Sequence, residues 1–278
     1  MRLMVHQKPP ESVLWGVDFT SAPGPRKPIT VARGRMHERV VVLAGVEALP
    51  DWASFEAWIA QPGPWVGGFD FPLGLPRVFV EDLQLGHTAA QVIQSLRRRC
   101  PQRMDFRSLV DQWGQGRPPG HRLVHRRADT SLPGVTSTSP LQTRYVPVGF
   151  MYYEGLWRLL QSGVSLPRLH QADPQRIALE AYPGLLAHQL IGPRSYKNQD
   201  SPDRLMARKD LLERLEQGHP FGVRLKMTHA QRDALAHEVS ADRLDAVLCL
   251  MQTAWAVGQT DYGLPVDVDP VEGWILTA

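Results

Sequence analysis

Five acidic residues stand where chemistry could use them. "VLWGVD" runs Val13 to Asp18 as a short apolar strand that ends on a carboxylate and turns through Thr20, Ser21 and Pro23. "WVGGFD" repeats the device: Trp65 to Phe69 reads as a buried strand delivering Asp70 just before Pro72. Glu180 lies in "LEAYPG", on a strand read over Ile177 to Tyr182, and Asp242 and Asp245 open a late helix three residues apart, on one face. Neighbouring strand ends in one sheet lie about 5 Å apart. Carboxylates that close repel and raise one another's pKa unless a cation offsets them. Hard divalent ions such as Mg²⁺ or Mn²⁺ take carboxylate oxygens and keep open water positions. Two such ions about 4 Å apart suit in-line phosphoryl displacement. Taken singly, Asp18 and Asp70 fit Asx turns and Asp242 fits a first-turn acid favoured by the helix dipole. The order strand Asp, strand Asp, strand Glu, helix Asp favours a metal-binding edge.

The elements that must carry these acids follow from pattern. After Val13 to Asp18, Ile29 to Arg33 alternates and Val40 to Val46 is β-branched, so three strands form an antiparallel meander. Trp52, Phe55, Trp58 and Ile59 recur at helical spacing, and the strand at Trp65 follows. Residues 75 to 113 read as interrupted helix, and 114 to 147 as a Gly-, Pro- and Arg-rich loop, long enough to be functional or disordered. Helices are expected at Phe150 to Leu160, Pro183 to Ile191 and Leu205 to Leu215. In "SADRLDAVLCLMQTAWAVG", Ser240 is the expected N-cap, and Leu244, Val247, Leu248, Met251 and Trp255 form one stripe with Asp245 at its edge. Gly258 is the expected stop. Most of the eight tryptophans fall in or beside these segments, as core residues do.

Composition bounds the class. The chain has 278 residues, 43% of them hydrophobic, enough for a sizeable core. No apolar stretch approaches the roughly 20 residues of a membrane span. MRLMVHQKPP has no apolar signal-peptide region, and Cys100 and Cys249 make no metal motif or disulfide framework. A cytoplasmic, reducing setting without membrane attachment is expected. The net charge of +3 is uneven: residues 97 to 127 hold nine arginines against Asp105 and Asp111, a net +7, which leaves −4 elsewhere. Such a block fits either a polyanion surface or a solvated face. His121 and His125 sit in a Pro/Gly-rich loop unsuited to zinc, and no P-loop, GxSxG elbow or HExxH is present.

The strand order β-β-β-α-β, with acids ending the first and fourth strands and opening a late helix, resembles the ribonuclease H fold. More narrowly, "WGVDFTSAP", "GGFDFPLGLP", "RRADTSLPGVTSTSPL", "LEAYPG", "DRLDAVLCLMQTAWA" and "EGWIL" resemble the family called domain of unknown function 429, predicted nucleases of that fold. The resemblance covers about residues 13 to 276. It implies an α/β fold: a central mixed five-stranded sheet, three antiparallel strands then parallel ones, flanked by helices. The chain is then one domain over 1–278 with an insertion at about 75–147. Asp18, Asp70 and Asp245, with Asp242, match the fold's metal carboxylates. Glu180 matches the family's own strand motif, and Asp18, Asp70, Glu180 and Asp245 are the expected catalytic acids. Glu56 stands where a helix-borne acid could, without a supporting motif. Arg127 and Asp129 are placed facing the site, and Thr20, Arg127, Lys197 and Arg204 are candidates for substrate phosphate. The implied activity is hydrolysis of nucleic-acid phosphodiesters by a Mg²⁺- or Mn²⁺-dependent nuclease. Two other classes stay open: a phosphotransferase or small-nucleotide hydrolase on a related actin-like fold, and a nucleic-acid binder without catalysis.

Overall fold

The structure, a computed structural model, describes residues 12–118, 120–131 and 135–278. The chain begins with β1 (Val13–Asp18), β2 (Ile29–His37), β3 (Val40–Leu49), α1 (Trp52–Ile59) and β4 (Trp65–Phe69). Helices α2 (Arg77–Asp82), α3 (Ala89–Arg99) and α4 (Arg103–Gln115) follow, and a loop with a short 3₁₀ turn at Ala128–Thr130 leads to α5 (Val148–Gln161). Then come β5 (Val164–Ser165), β6 (Asp173–Glu180), α6 (Pro183–Ile191), α7 (Pro202–Gln217), β7 (Arg224–Lys226), α8 (His229–His237) and α9 (Asp242–Val257).

One mixed sheet has the order β5-β6-β4-β1-β2-β3-β7. β1, β2 and β3 pair antiparallel, while β4 lies parallel to β1 and β6 parallel to β4. The sheet therefore has seven strands, not the expected five. The two additions are edge strands of two and three residues: β5 beside β6, and β7 beside Val40–Val42 of β3. Neither is long enough to show a period-two alternation in sequence.

Both faces are covered, as parallel strands require. Successive side chains of β1 point to opposite faces. Trp15 and Val17 join a core that includes residues of α1 to α5, whereas Leu14 joins one that includes residues of α6 to α9. On the first face Trp15 stacks on Trp65 with centroids 4.3 Å apart and meets Trp58 of α1 at 3.9 Å. These tryptophans serve packing.

α9 is buried on nearly all sides, so Asp245 sits inside it at 2% exposure rather than at an interface edge. Its start also differs from expectation. Ser240 does not cap it; the N-cap is Ala241, held left-handed at φ 63° without a side-chain cap. A carboxylate from outside the helix serves instead: the Arg243 N–H donates to Glu238 Oε2 at 2.7 Å. No helix among the described residues is long and apolar enough to cross a membrane.

Candidate active site

The acids meet because three backbones are locked in register. Val17 of β1 pairs with Phe69 of β4, and the next N–H, of Asp70, donates to Val17 O at 2.9 Å. The Ala181 N–H donates to Phe69 O at 2.9 Å, which brings the end of β6 alongside. Asp18, Asp70 and Glu180 thus end three adjacent strands at one sheet edge. α9 is pressed onto the same strands. A Cβ at Gly16 would stand 2.1 Å from Ala246 O and Leu250 N, and one at Gly68 would stand 2.4 Å from Thr253 Oγ1. The Thr253 hydroxyl donates to Trp15 O at 3.0 Å. Glycine at 16 lets the helix backbone touch the strand, which fixes the position of Asp245, one residue before Ala246.

The electrostatics reflect the juxtaposition. Burial, then Asp245, Asp70 and Asp242, push the Asp18 carboxyl well above the ordinary range, against the opposing pull of Lys197. Asp70 is pushed up to about 7, by burial first and by Asp245 and Glu180 among its neighbours. Burial raises Asp245 as well, opposed by Lys197 and by Tyr196, whose hydroxyl donates to Asp245 Oδ1 at 2.6 Å. Lys197 forms an ion pair with Asp245 Oδ2. Burial alone would favour its neutral amine, but Asp245 and Asp70 outweigh it and hold the ammonium. Among the described residues the Asp18 and Asp70 carboxylates accept no hydrogen bond, and Asp242 is half-buried at the helix start.

Glu180 is placed differently. It is 4% exposed and held by a bidentate pair from Arg126, Nη2 to Oε1 at 2.6 Å and Nη1 to Oε2 at 2.8 Å, with the Leu73 N–H adding 2.8 Å. Arg126 also binds Asp129 at 2.8 Å and donates to Glu272 O at 2.9 Å, and Ser137 donates to Asp129 at 2.7 Å. Glu180 therefore supports the end of β6 through Arg126, while Asp18 and Asp70 keep free oxygens. Asp129 is in this buried network. Arg127 is not: its exposed guanidinium pairs with Asp267 at 2.6 Å and lies over Trp274, away from the acids. Two adjacent arginines offered no signal in sequence for which one the fold would bury.

The remaining candidates divide. Thr20 stays in the turn after β1, its hydroxyl 3.5 Å from the Ala22 N–H. Arg204, half-buried on α7, lines with Lys197 and His188 a cleft of about 680 Å³. Glu56 is exposed and paired with Arg158. The basic block is largely tied into the molecule. Arg97 pairs with Glu154, Arg117 with Asp82, Arg99 donates to Leu83 O, Arg103 to Ser21 O and Arg107 to Thr143 O. A separate cavity of about 340 Å³ opens beside the acids, reaching from Asp70 and Lys197 to Glu180 and Arg126.

Among the described residues no group of three or more His, Cys, Asp or Glu side chains is arranged to hold a metal ion as they stand. The Lys197 ammonium pairs with Asp245 and faces Asp70, on which Lys27 adds a smaller pull. The donor chemistry nevertheless fits a hard cation: the oxygens are carboxylate oxygens, two of the groups are unpartnered, and burial and mutual repulsion disfavour their charge.

A family model described as "Protein of unknown function (DUF429)" matches residues 16–269. No curated protein and no solved structure matches the chain.

Proposed function

The chain belongs to this family of proteins of unknown function, and we propose that its acidic sheet edge hydrolyses phosphodiester bonds of nucleic acid with a divalent cation. The observation that carries this reading is the convergence of Asp18, Asp70 and Asp245, from two adjacent strand ends and the helix pressed on them, with two carboxylates left unpartnered. A ribonuclease H-like reading of the fold is supported by the antiparallel β1-β2-β3 followed by parallel β4 and β6.

Asp18, Asp70 and Asp245 would hold Mg²⁺ or Mn²⁺, with Asp242 at the rim. A cation bound there supplies Lewis-acid polarisation and an acidified water. The chain's own residues supply the rest. Tyr196 orients Asp245 through its hydroxyl. Lys197 offers a point charge for a phosphate oxygen. Arg204, on the cleft that Lys197 shares, extends positive charge along the path of a polyanion.

The test is cleavage of labelled single- and double-stranded DNA and RNA with Mg²⁺ or Mn²⁺. Asp18→Asn and Asp70→Asn should each lower the cation-dependent rate by about a hundredfold or more, the scale on which removing one preorganised charge acts. Binding should weaken steeply with salt. Variants that keep the wild-type rate would overturn the reading.

A further inference from the structure

We infer that the cavity of about 340 Å³ beside the acids is a nucleobase pocket, taking the base of the nucleotide whose phosphate lies at Asp70 and Lys197. This rests on the phosphodiesterase reading and names the part of the substrate that the acids do not contact.

Three observations converge on it. The first is continuity: Asp70 and Lys197 line the cavity as well as the acidic edge, so a phosphate at that edge has its own nucleoside at the cavity mouth. The second is the wall. Pro72, Val148, Met151, Tyr182 and Pro183 give apolar and aromatic surface, which suits the faces of a flat ring. The third is the polar edge. Ser137, Thr138, Arg126 and Glu180 also line it. Among the described residues the Thr138 and Tyr182 hydroxyls make no hydrogen bond, so both are free to meet a base edge, while Arg126 and Glu180 are fixed by one another. A purely apolar occupant would offer the half-buried Tyr182 hydroxyl no partner, and a sugar would leave the apolar walls without one. Of the parts of a nucleotide, only the base has apolar faces and polar edges. The loop carrying Ser137 and Thr138 and the start of α5 form one side of the cavity.

The same chemistry comes from a free nucleotide or from a base turned out of a strand, and the experiment separates them. Binding of deoxyadenosine 5′-monophosphate and of deoxyribose 5-phosphate is measured by calorimetry with Mn²⁺ present, for the wild type, Met151→Trp and Val148→Trp, with circular dichroism confirming that each variant is folded. The base should tighten wild-type binding by at least about tenfold, the scale of base stacking on side chains. Both variants should lose that gain and keep the affinity for deoxyribose 5-phosphate. Equal wild-type affinity for the two ligands overturns the pocket and leaves the phosphodiesterase reading standing. Failure of both ligands to bind overturns the pocket, and the phosphodiesterase reading then stands or falls on the cleavage assay. If a variant does not fold, the wild-type comparison alone decides. An oligonucleotide carrying 2-aminopurine then identifies the source. A rise in emission on binding means a base taken from a strand, and no rise, with the mononucleotide bound, means a free nucleotide.

Discussion

A Cβ on Gly16 would stand 2.1 Å from the backbone nitrogen of Leu250, so strand β1 and helix α9 meet backbone to backbone. Both contacted atoms, Ala246 O and Leu250 N, are main chain and cannot step aside as a side-chain end could. Gly16→Ala should therefore cost at least about 3 kcal/mol, the upper end of overpacking penalties. Gly45→Ala is the control: nothing lies within 4 Å of a Cβ there, and the change should be neutral or slightly stabilising. Urea denaturation of the two variants beside the wild type reads the difference.

The acids give the cation-free protein a defined pH dependence. Asp70 titrates near 7 in the folded state against an ordinary value of 3.8, and Asp18 is raised well above the same value. A raised carboxylate binds its proton more tightly when folded, so its contribution is fully present below about pH 4 and is lost as pH rises through about 7. Stability without cation should fall over that window, and Asp70→Asn should flatten the fall. Thermal melts in EDTA from about pH 4 to 8 check both trends across the span in which such carboxylates ionise. Added Mn²⁺ should stabilise more at about pH 8 than at about pH 6, because it binds the ionised acids.

Removing Arg126 leaves Glu180 and Asp129 buried without their partner. Arg126→Met should lose about 3–5 kcal/mol, the usual cost of breaking a buried pair from one side. Glu180→Gln should lower stability and activity together. A variant that melted like the wild type while losing cation-dependent cleavage would instead place Glu180 among the cation ligands.

Lys197→Met removes the ammonium that Asp70 and Asp245 face. Mn²⁺ affinity should then rise on the order of tenfold, since a like-charged competitor is gone. Affinity for a short oligonucleotide should fall. Calorimetry with each ligand separates the two effects, and weaker Mn²⁺ binding would show that Lys197 helps to build the cation site.

The parts legible in sequence are those whose cause is local. β1 and β4 are short apolar runs closed by turn chemistry, and α9 carries a clear stripe, so Asp18, Asp70 and Asp245 could be placed from pattern alone. Long-range pairing leaves no such trace. Arg126 and Glu180 are 54 positions apart and Arg127 looks identical to its neighbour, so only tertiary packing decides which guanidinium is buried. The arginines of 97 to 127 read as a free basic face, yet many find carbonyls or acids as partners elsewhere in the fold. Ser240 is a good capping residue by type, but the left-handed turn at Ala241 gives the role to Glu238.

Arg126 also ties together parts of the chain made at different times. It reaches 54 positions on to Glu180 and 146 positions on to the carbonyl of Glu272. Asp18 and Asp70 leave the ribosome long before either partner, and Asp245 follows late. A nascent chain therefore displays its first two acids with no third acid, no helix to seat them and no arginine clasp. The clasp gains its Glu180 half once β6 has been made, and its last hydrogen bond, to the Glu272 carbonyl, only after residue 272 has been added.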